Sequence, residues 1–138
     1  MYDPVMVAPM RDELTRVGVR SLATAADVDT VLGTGKGTTL VVVNSVCGCA
    51  AGNARPGVAL AVRHRKLPQN LVTVFAGVDR EAADRARSYF KGYMPSSPSM
   101  ALIKDGQCVF MLQRHEIEGR DPQVIAQRLT EAFDKHCT

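Results

Sequence analysis

Residues Thr38 to Val46 read TTLVVVNSV, and this run constrains the fold more than any other part of the chain. β-branched side chains lose rotamer freedom in a helix and pack well on a pleated surface, so the run predicts a strand. A strand with one wet face alternates apolar and polar residues, whereas Leu40 through Val43 is apolar at every position. Such a strand must be covered on both faces, as a central strand of a layered α/β sheet is.

The flanking sequence supplies the cover. Pro4 to Val17 carries apolar residues at roughly helical spacing and meets a stop at Gly18. Thr24-Ala-Ala-Asp27 resembles a capping box opening a short helix that ends near Gly33, and Gly35-Lys-Gly37 makes a turn. After the central strand, Ala50 to Leu67 reads as a helix, with a kink expected near its middle at Pro56-Gly57. Leu71 to Ala76 is a second strand, Asp79 to Phe90 an amphipathic helix, and Ser99 to Lys104 a third strand. Asp105-Gly106 is a hairpin turn, so Gln107 to Gln113 should return antiparallel. Asp121 and Pro122 open a terminal helix through Phe133. From Thr38 the order is therefore β-α-β-α-β-β-α, an α/β arrangement whose first two strands should be parallel. With no repeat or low-complexity linker, one domain over 1–138 is expected, residues 1–37 forming a helical extension packed on it.

Cys47-Gly48-Cys49 stands where the central strand gives way to the helix. The thiolate is the reactive form of cysteine, and a free thiol titrates near pH ~8.5. Unpaired amides and the positive dipole end of a helix favour the anion there. Cys47, outermost at the junction, is the expected nucleophile; Cys49, inside the first turn, is the expected resolving thiol. The nearest downstream cation is Arg55, about two turns on, which points elsewhere unless the Pro56 kink redirects it. Gly48 leaves room for a partner to approach. A one-residue spacer also closes a tight ring on oxidation, which favours a readily reduced disulfide or a mixed one. The competing readings are inert buried cysteines, or half of a metal site completed by Cys108, His115, His136 or Cys137. Closed zinc sites use recognisable ligand pairs, and no second pair is present, so no metal is expected. Cys108 reads as a small core residue, and Cys137 as exposed and frayed at the C-terminus. His64, within Arg63-His-Arg-Lys66, reads as the solvated end of a helix, and His115-Glu116 as a polar pair in a loop.

Seventeen basic and 14 acidic residues are interspersed and aromatics make up 5%, so the basic stripe with stacking rings of a nucleic-acid binder is missing. The longest apolar runs are too short to span a membrane. Met1 to Met10 has an early acid, two prolines and no basic segment before an apolar block, unlike a secretory signal. The expected location is the cytoplasm, where thiols are kept reduced and cysteine pairs act as catalysts or sensors.

The order of elements resembles that of thioredoxin-like proteins. In those, a cis-proline at the position of Pro98 faces the reactive cysteines and presents the backbone of the preceding residue, here Ser97, to an incoming thiol or chain. Thioredoxins often bury a carboxylate in the strand before the cysteines, and Leu40 to Val46 contains none. More specifically, VVVNSVCGCAAGNARPG (Val41–Gly57), VTVFAGVDREA (Val72–Ala82), PSSPSMAL (Pro95–Leu102) and RHEIEGRD (Arg114–Asp121) resemble the bacilliredoxin family. VAPMRDEL (Val7–Leu14) and FDKHC (Phe133–Cys137) extend the likeness to almost the whole chain. The resemblance implies a thioredoxin-like fold with an added N-terminal segment. It implies a thiol–disulfide oxidoreductase that removes bacillithiol from S-bacillithiolated client proteins, Cys47 attacking and Cys49 resolving, with Ser97 and Pro98 docking the substrate. Bacillithiol would be a co-substrate, with no further cofactor, no nucleic acid and no membrane involved. Weak disulfide isomerase activity, or a non-enzymatic redox-sensing or metal-binding role, are the alternatives.

Overall fold

The computed structural model describes residues 2–138. Five strands form one mixed sheet: β1 (Arg20–Ser21), β2 (Thr38–Asn44), β3 (Asn70–Phe75), β4 (Ser99–Lys104) and β5 (Gln107–Leu112), in the spatial order β1-β3-β2-β4-β5. β1, β3 and β2 run parallel, while β4 is antiparallel to β2 and β5 antiparallel to β4. All residues of β2 are buried. Its side chains divide by pleat, Leu40 and Val42 entering one core layer and Val41 and Val43 the other. Each such side chain, removed fully from water, contributes about 1.5–3 kcal/mol.

Helices cover the two faces. One layer joins Leu14 of α1 (Pro4–Thr15), Val58 of α3 (Arg55–Ala61) and Leu129 and Phe133 of α6 (Pro122–His136). The other joins Val28 and Leu32 of α2 (Ala25–Leu32) to Ala82, Ala83 and Ala86 of α4 (Arg80–Arg87). A short helix, α5 (Arg114–Ile117), follows β5. Thr24 caps α2 by accepting from the Asp27 amide at 3.1 Å, and Pro122 occupies the first turn of α6. Asp105 and Gly106 both take positive φ, 48° and 82°, as the expected hairpin turn requires.

Four sequence expectations need correction. The first 37 residues are not purely helical: Arg20–Ser21 adds an edge strand beside Val72 and Thr73, too short to leave a period-2 signature. The helix after the cysteines ends at Ala61, and its irregularity is not a kink centred on Pro56-Gly57. It is a π-helical turn over Ala50–Ala54, closed by the Arg55 amide donating to the Ala50 carbonyl. Pro56 has no N–H to continue the preceding ladder, and the wider turn passes the chain into α3 with the proline in its first turn. His115-Glu116 lies in a helix: the Glu116 carboxylate accepts from the Gln113 amide at 3.1 Å and completes a capping box. Cys137 is not frayed but 5% exposed, packed in the layer with Phe133 and Leu129.

Candidate active site

The carboxyl ends of β2 and β3 point to the same edge of the sheet, and the loop leaving β2 carries the cysteines. Asn44 ends the strand by giving its side chain to the loop. Its Oδ1 accepts from the Ser45 amide at 2.8 Å and from Arg55 Nη1 at 3.0 Å, and its Nδ2 donates to the Met10 carbonyl at 3.3 Å. Arg55 Nη1 also donates to the Ser45 carbonyl at 2.7 Å. Ser45 Oγ then accepts from the Cys47 amide at 3.3 Å. A chain of hydrogen bonds therefore runs from α1 and α3 to the backbone of Cys47.

The arginine is the unexpected member. Arg55 is 2% exposed and turned beneath the loop, because the π turn rotates its side chain back towards the end of β2. Its Nε lies 3.2 Å from a Glu13 carboxylate oxygen, close enough for charge pairing but not aligned for a hydrogen bond. The carboxylate missing from the strand has no substitute within it; the charge buried beneath this loop is a cation.

Cys47 and Cys49 are half-buried free thiols whose sulfurs lie 2.7 Å apart. Burial pushes the Cys47 thiol up. The hydrogen bond from Cys49, the Ser45 hydroxyl, the Ala50 amide and the charge of Arg114 outweigh it, so the thiol titrates below its ordinary value. Cys49 moves the other way: burial raises it, and the neighbouring Cys47 anion and the Glu118 carboxylate raise it further, against the pull of Arg114. The pair is thereby ordered, Cys47 the readier of the two sulfurs to ionise and Cys49 the more reluctant. A Cβ added at Gly48 would meet nothing within 4 Å, so the glycine is open to solvent at the edge of the pair.

The Ser97-Pro98 peptide is cis, as its place in the order of elements suggested. Ser99, the first residue of β4, pairs with Val43, so the turn before it lies at the end of β2 that leads to the cysteines. Pro98 is buried and Ser97 half-buried. Arg114 donates from Nη1 to the Ser97 carbonyl at 3.3 Å while its charge acts on both thiols. The other cysteines are elsewhere. Cys108 pairs with Ile103, and Cys137 meets Thr38, both towards the start of β2. That is a full strand, about 20 Å, from the loop. His136 precedes Cys137 there, and His115 is exposed on α5. Among the described residues, no three of His, Cys, Asp and Glu gather as a metal site would need.

A model of the Disulphide isomerase family matches residues 2–137. A bacilliredoxin of Koribacter versatilis is 53% identical over 137 residues, covering 99% of this chain and 94% of that protein. Those of Staphylococcus epidermidis and Halalkalibacterium halodurans are each 54% identical, over 99% and 100% of this chain and 94% and 93% of those proteins. This chain belongs to the bacilliredoxin family. The thioredoxin of Fasciola hepatica, 24% identical, superposes with a TM-score of 0.59 over 86% of this chain and 99% of its own. An Entamoeba histolytica thioredoxin, 17% identical, gives 0.56 over 83% and 99%. The fold is thus thioredoxin-like and the family's chemistry is thiol–disulfide exchange. Two residues of the site were not legible beforehand: Arg114, remote in sequence from the cysteines, and Arg55, whose direction depends on the π turn.

Proposed function

We propose that this oxidoreductase reduces mixed disulfides between protein cysteines and a low-molecular-weight thiol, bacillithiol, with Cys47 as nucleophile and Cys49 as resolving thiol. The observation that supports the reading best is the ordered pair, with sulfurs 2.7 Å apart and titrations displaced in opposite directions. The Cys47 thiolate attacks the small thiol's sulfur in the mixed disulfide; a Cys47–S bond forms, the old S–S bond breaks, and the client leaves as a thiolate that takes up a proton. Cys49 gives up its proton and attacks Cys47 Sγ, so the Cys47–Cys49 disulfide forms and the small thiol departs. The mixed disulfide is reduced by two electrons and the pair oxidised by two, to be restored by an external thiol reductant. Ser97 and Pro98 form the docking turn, buried at the proline and half-buried at the serine. No helix among the described residues is long and apolar enough to cross a membrane. The reading assigns the enzyme to the cytoplasm, with S-thiolated proteins as partners and no cofactor beyond the thiol co-substrate.

The test compares one client blocked with bacillithiol and the same client blocked with glutathione. Faster release from the bacillithiol adduct, by about tenfold (about 1.4 kcal/mol in barrier), is expected; equal rates would reduce the reading to an unselective disulfide reductase. The family description favours a second activity, disulfide isomerisation. It would appear as reactivation of a scrambled disulfide protein.

A further inference from the structure

α5 and the segment before Pro98 are joined at several points. Gln113 Nε2 donates to the Met94 carbonyl at 3.2 Å, and the Arg114 amide donates to Ser96 Oγ at 3.2 Å. From the other side, Arg87 Nη2 donates to the Ser96 carbonyl at 3.3 Å. The Arg114 guanidinium lies in the middle. Nη1 reaches the Ser97 carbonyl at 3.3 Å, and Nε is held by the Glu118 carboxylate at 2.6 Å, one turn along. Held at Nη1 and at Nε, this side chain forms a wall of a groove of about 520 Å³ whose lining includes Met94, Pro95, Ser96 and Gln113. The groove opens beside the docking turn, and the side chain remains 44% exposed.

We infer that Arg114 is a positioning residue of thiol–disulfide exchange, clamping the Ser97-Pro98 turn beside the cysteine pair and fixing a full positive charge at that turn. The inference rests on the reading of Cys47 as nucleophile. The groups that act on the titration of Cys47 are the Cys49 thiol, the Ser45 hydroxyl, the Ala50 amide and the charge of Arg114; on Cys49 they are Cys47, Arg114 and Glu118. Arg114 is the one full positive charge in that set. Two further guanidinium groups are turned elsewhere, Arg55 to the Ser45 carbonyl and the Asn44 side chain and Arg87 to the Ser96 carbonyl. A guanidinium suits both duties. Its planar fork spans a carbonyl and a carboxylate together, and its charge does not titrate in the working range. Glu118 sharpens the arrangement: it pins the guanidinium and opposes ionisation of Cys49.

The experiment follows alkylation of Cys47 against pH, and turnover of a mixed disulfide, in wild type, Arg114→Gln and Arg114→Lys. Arg114→Gln should slow Cys47 alkylation about threefold at neutral pH, the size expected of one partly solvated charge, and the deficit should close at high pH where the thiol is ionised in both proteins. Arg114→Lys should restore the pH profile but keep a raised KM, because an ammonium cannot hold the Ser97 carbonyl and Glu118 in one plane. Melting temperatures of the three proteins should agree closely, since the side chain is exposed. An unchanged pH profile with unchanged KM in Arg114→Gln would overturn the inference. Alkylation of Cys49 before Cys47 in the wild type would instead overturn the nucleophile assignment beneath it.

Discussion

Replacing Arg55 with methionine keeps much of the side-chain volume and removes the buried guanidinium. Two hydrogen bonds from a charged donor are lost, to Asn44 Oδ1 at 3.0 Å and the Ser45 carbonyl at 2.7 Å. Each is worth about 1.5–3 kcal/mol; Asn44 Oδ1 keeps the Ser45 amide, while the Ser45 carbonyl loses its arginine donor in a buried loop. Two effects offset this. The arginine's own desolvation is relieved, and Glu13, with 42% of its side chain exposed, rehydrates when its partner goes. The net loss should be about 3 kcal/mol, equivalent to a fall of about 10 °C in melting temperature at the entropy of unfolding usual for a chain of this length. Glu13→Gln, which removes only the exposed and misaligned partner, should cost less than about 1 kcal/mol. Urea denaturation of both variants in the reduced state gives the values. An Arg55→Met loss below about 1 kcal/mol would refute the reasoning, because water would then be replacing bonds that the structure shows as buried.

Gly57→Ala should destabilise the protein by about 1–3 kcal/mol in denaturant titrations, since its Cβ would lie 2.7 Å from Ile125 Cγ2 where α3 meets α6. Gly48→Ala meets open space, so its stability should stay within about 0.5 kcal/mol of wild type while exchange with bulky client disulfides slows. Stopped-flow assays with a small and a protein disulfide separate the two effects. The folded-state shift of Cys47 is downward, so its thiolate persists to lower pH than in the unfolded chain. Its alkylation should therefore fall off only below the ordinary thiol range of ~8.5, with Cys49 ionising at higher pH.

The central strand was legible because a β-branched run with four successive apolar residues, Leu40 to Val43, suits a strand covered on both faces, and the Cys-Gly-Cys pair because its position at the end of that strand is itself chemical information. The hairpin at Asp105-Gly106 and the caps at Thr24 and Pro122 were local signals, and local physics decides them. Elements decided by tertiary pairing were not visible. Arg20-Ser21 is a strand only because β3 offers it an edge. Cys137 is buried only because α6 lays its last turn against the start of β2. Arg55 sits where simple helical spacing gave no reason to expect it, since one π turn shifts every later side chain around the helix axis. Arg114 reaches the Ser97-Pro98 turn through the β4–β5 hairpin and α5, a path that no spacing rule in the sequence describes.

The division of labour between the two sulfurs is tested most directly by intact-protein mass spectrometry of Cys47→Ser and Cys49→Ser after exposure to a bacillithiol-blocked client. Cys49→Ser should accumulate one small-thiol adduct, mapped by peptide digestion to Cys47, and release the client without turning over. Cys47→Ser should remain unmodified at Cys49 over the same interval. An adduct formed on Cys49 of the Cys47→Ser protein at the wild-type rate, with Cys49→Ser inert, would contradict the account.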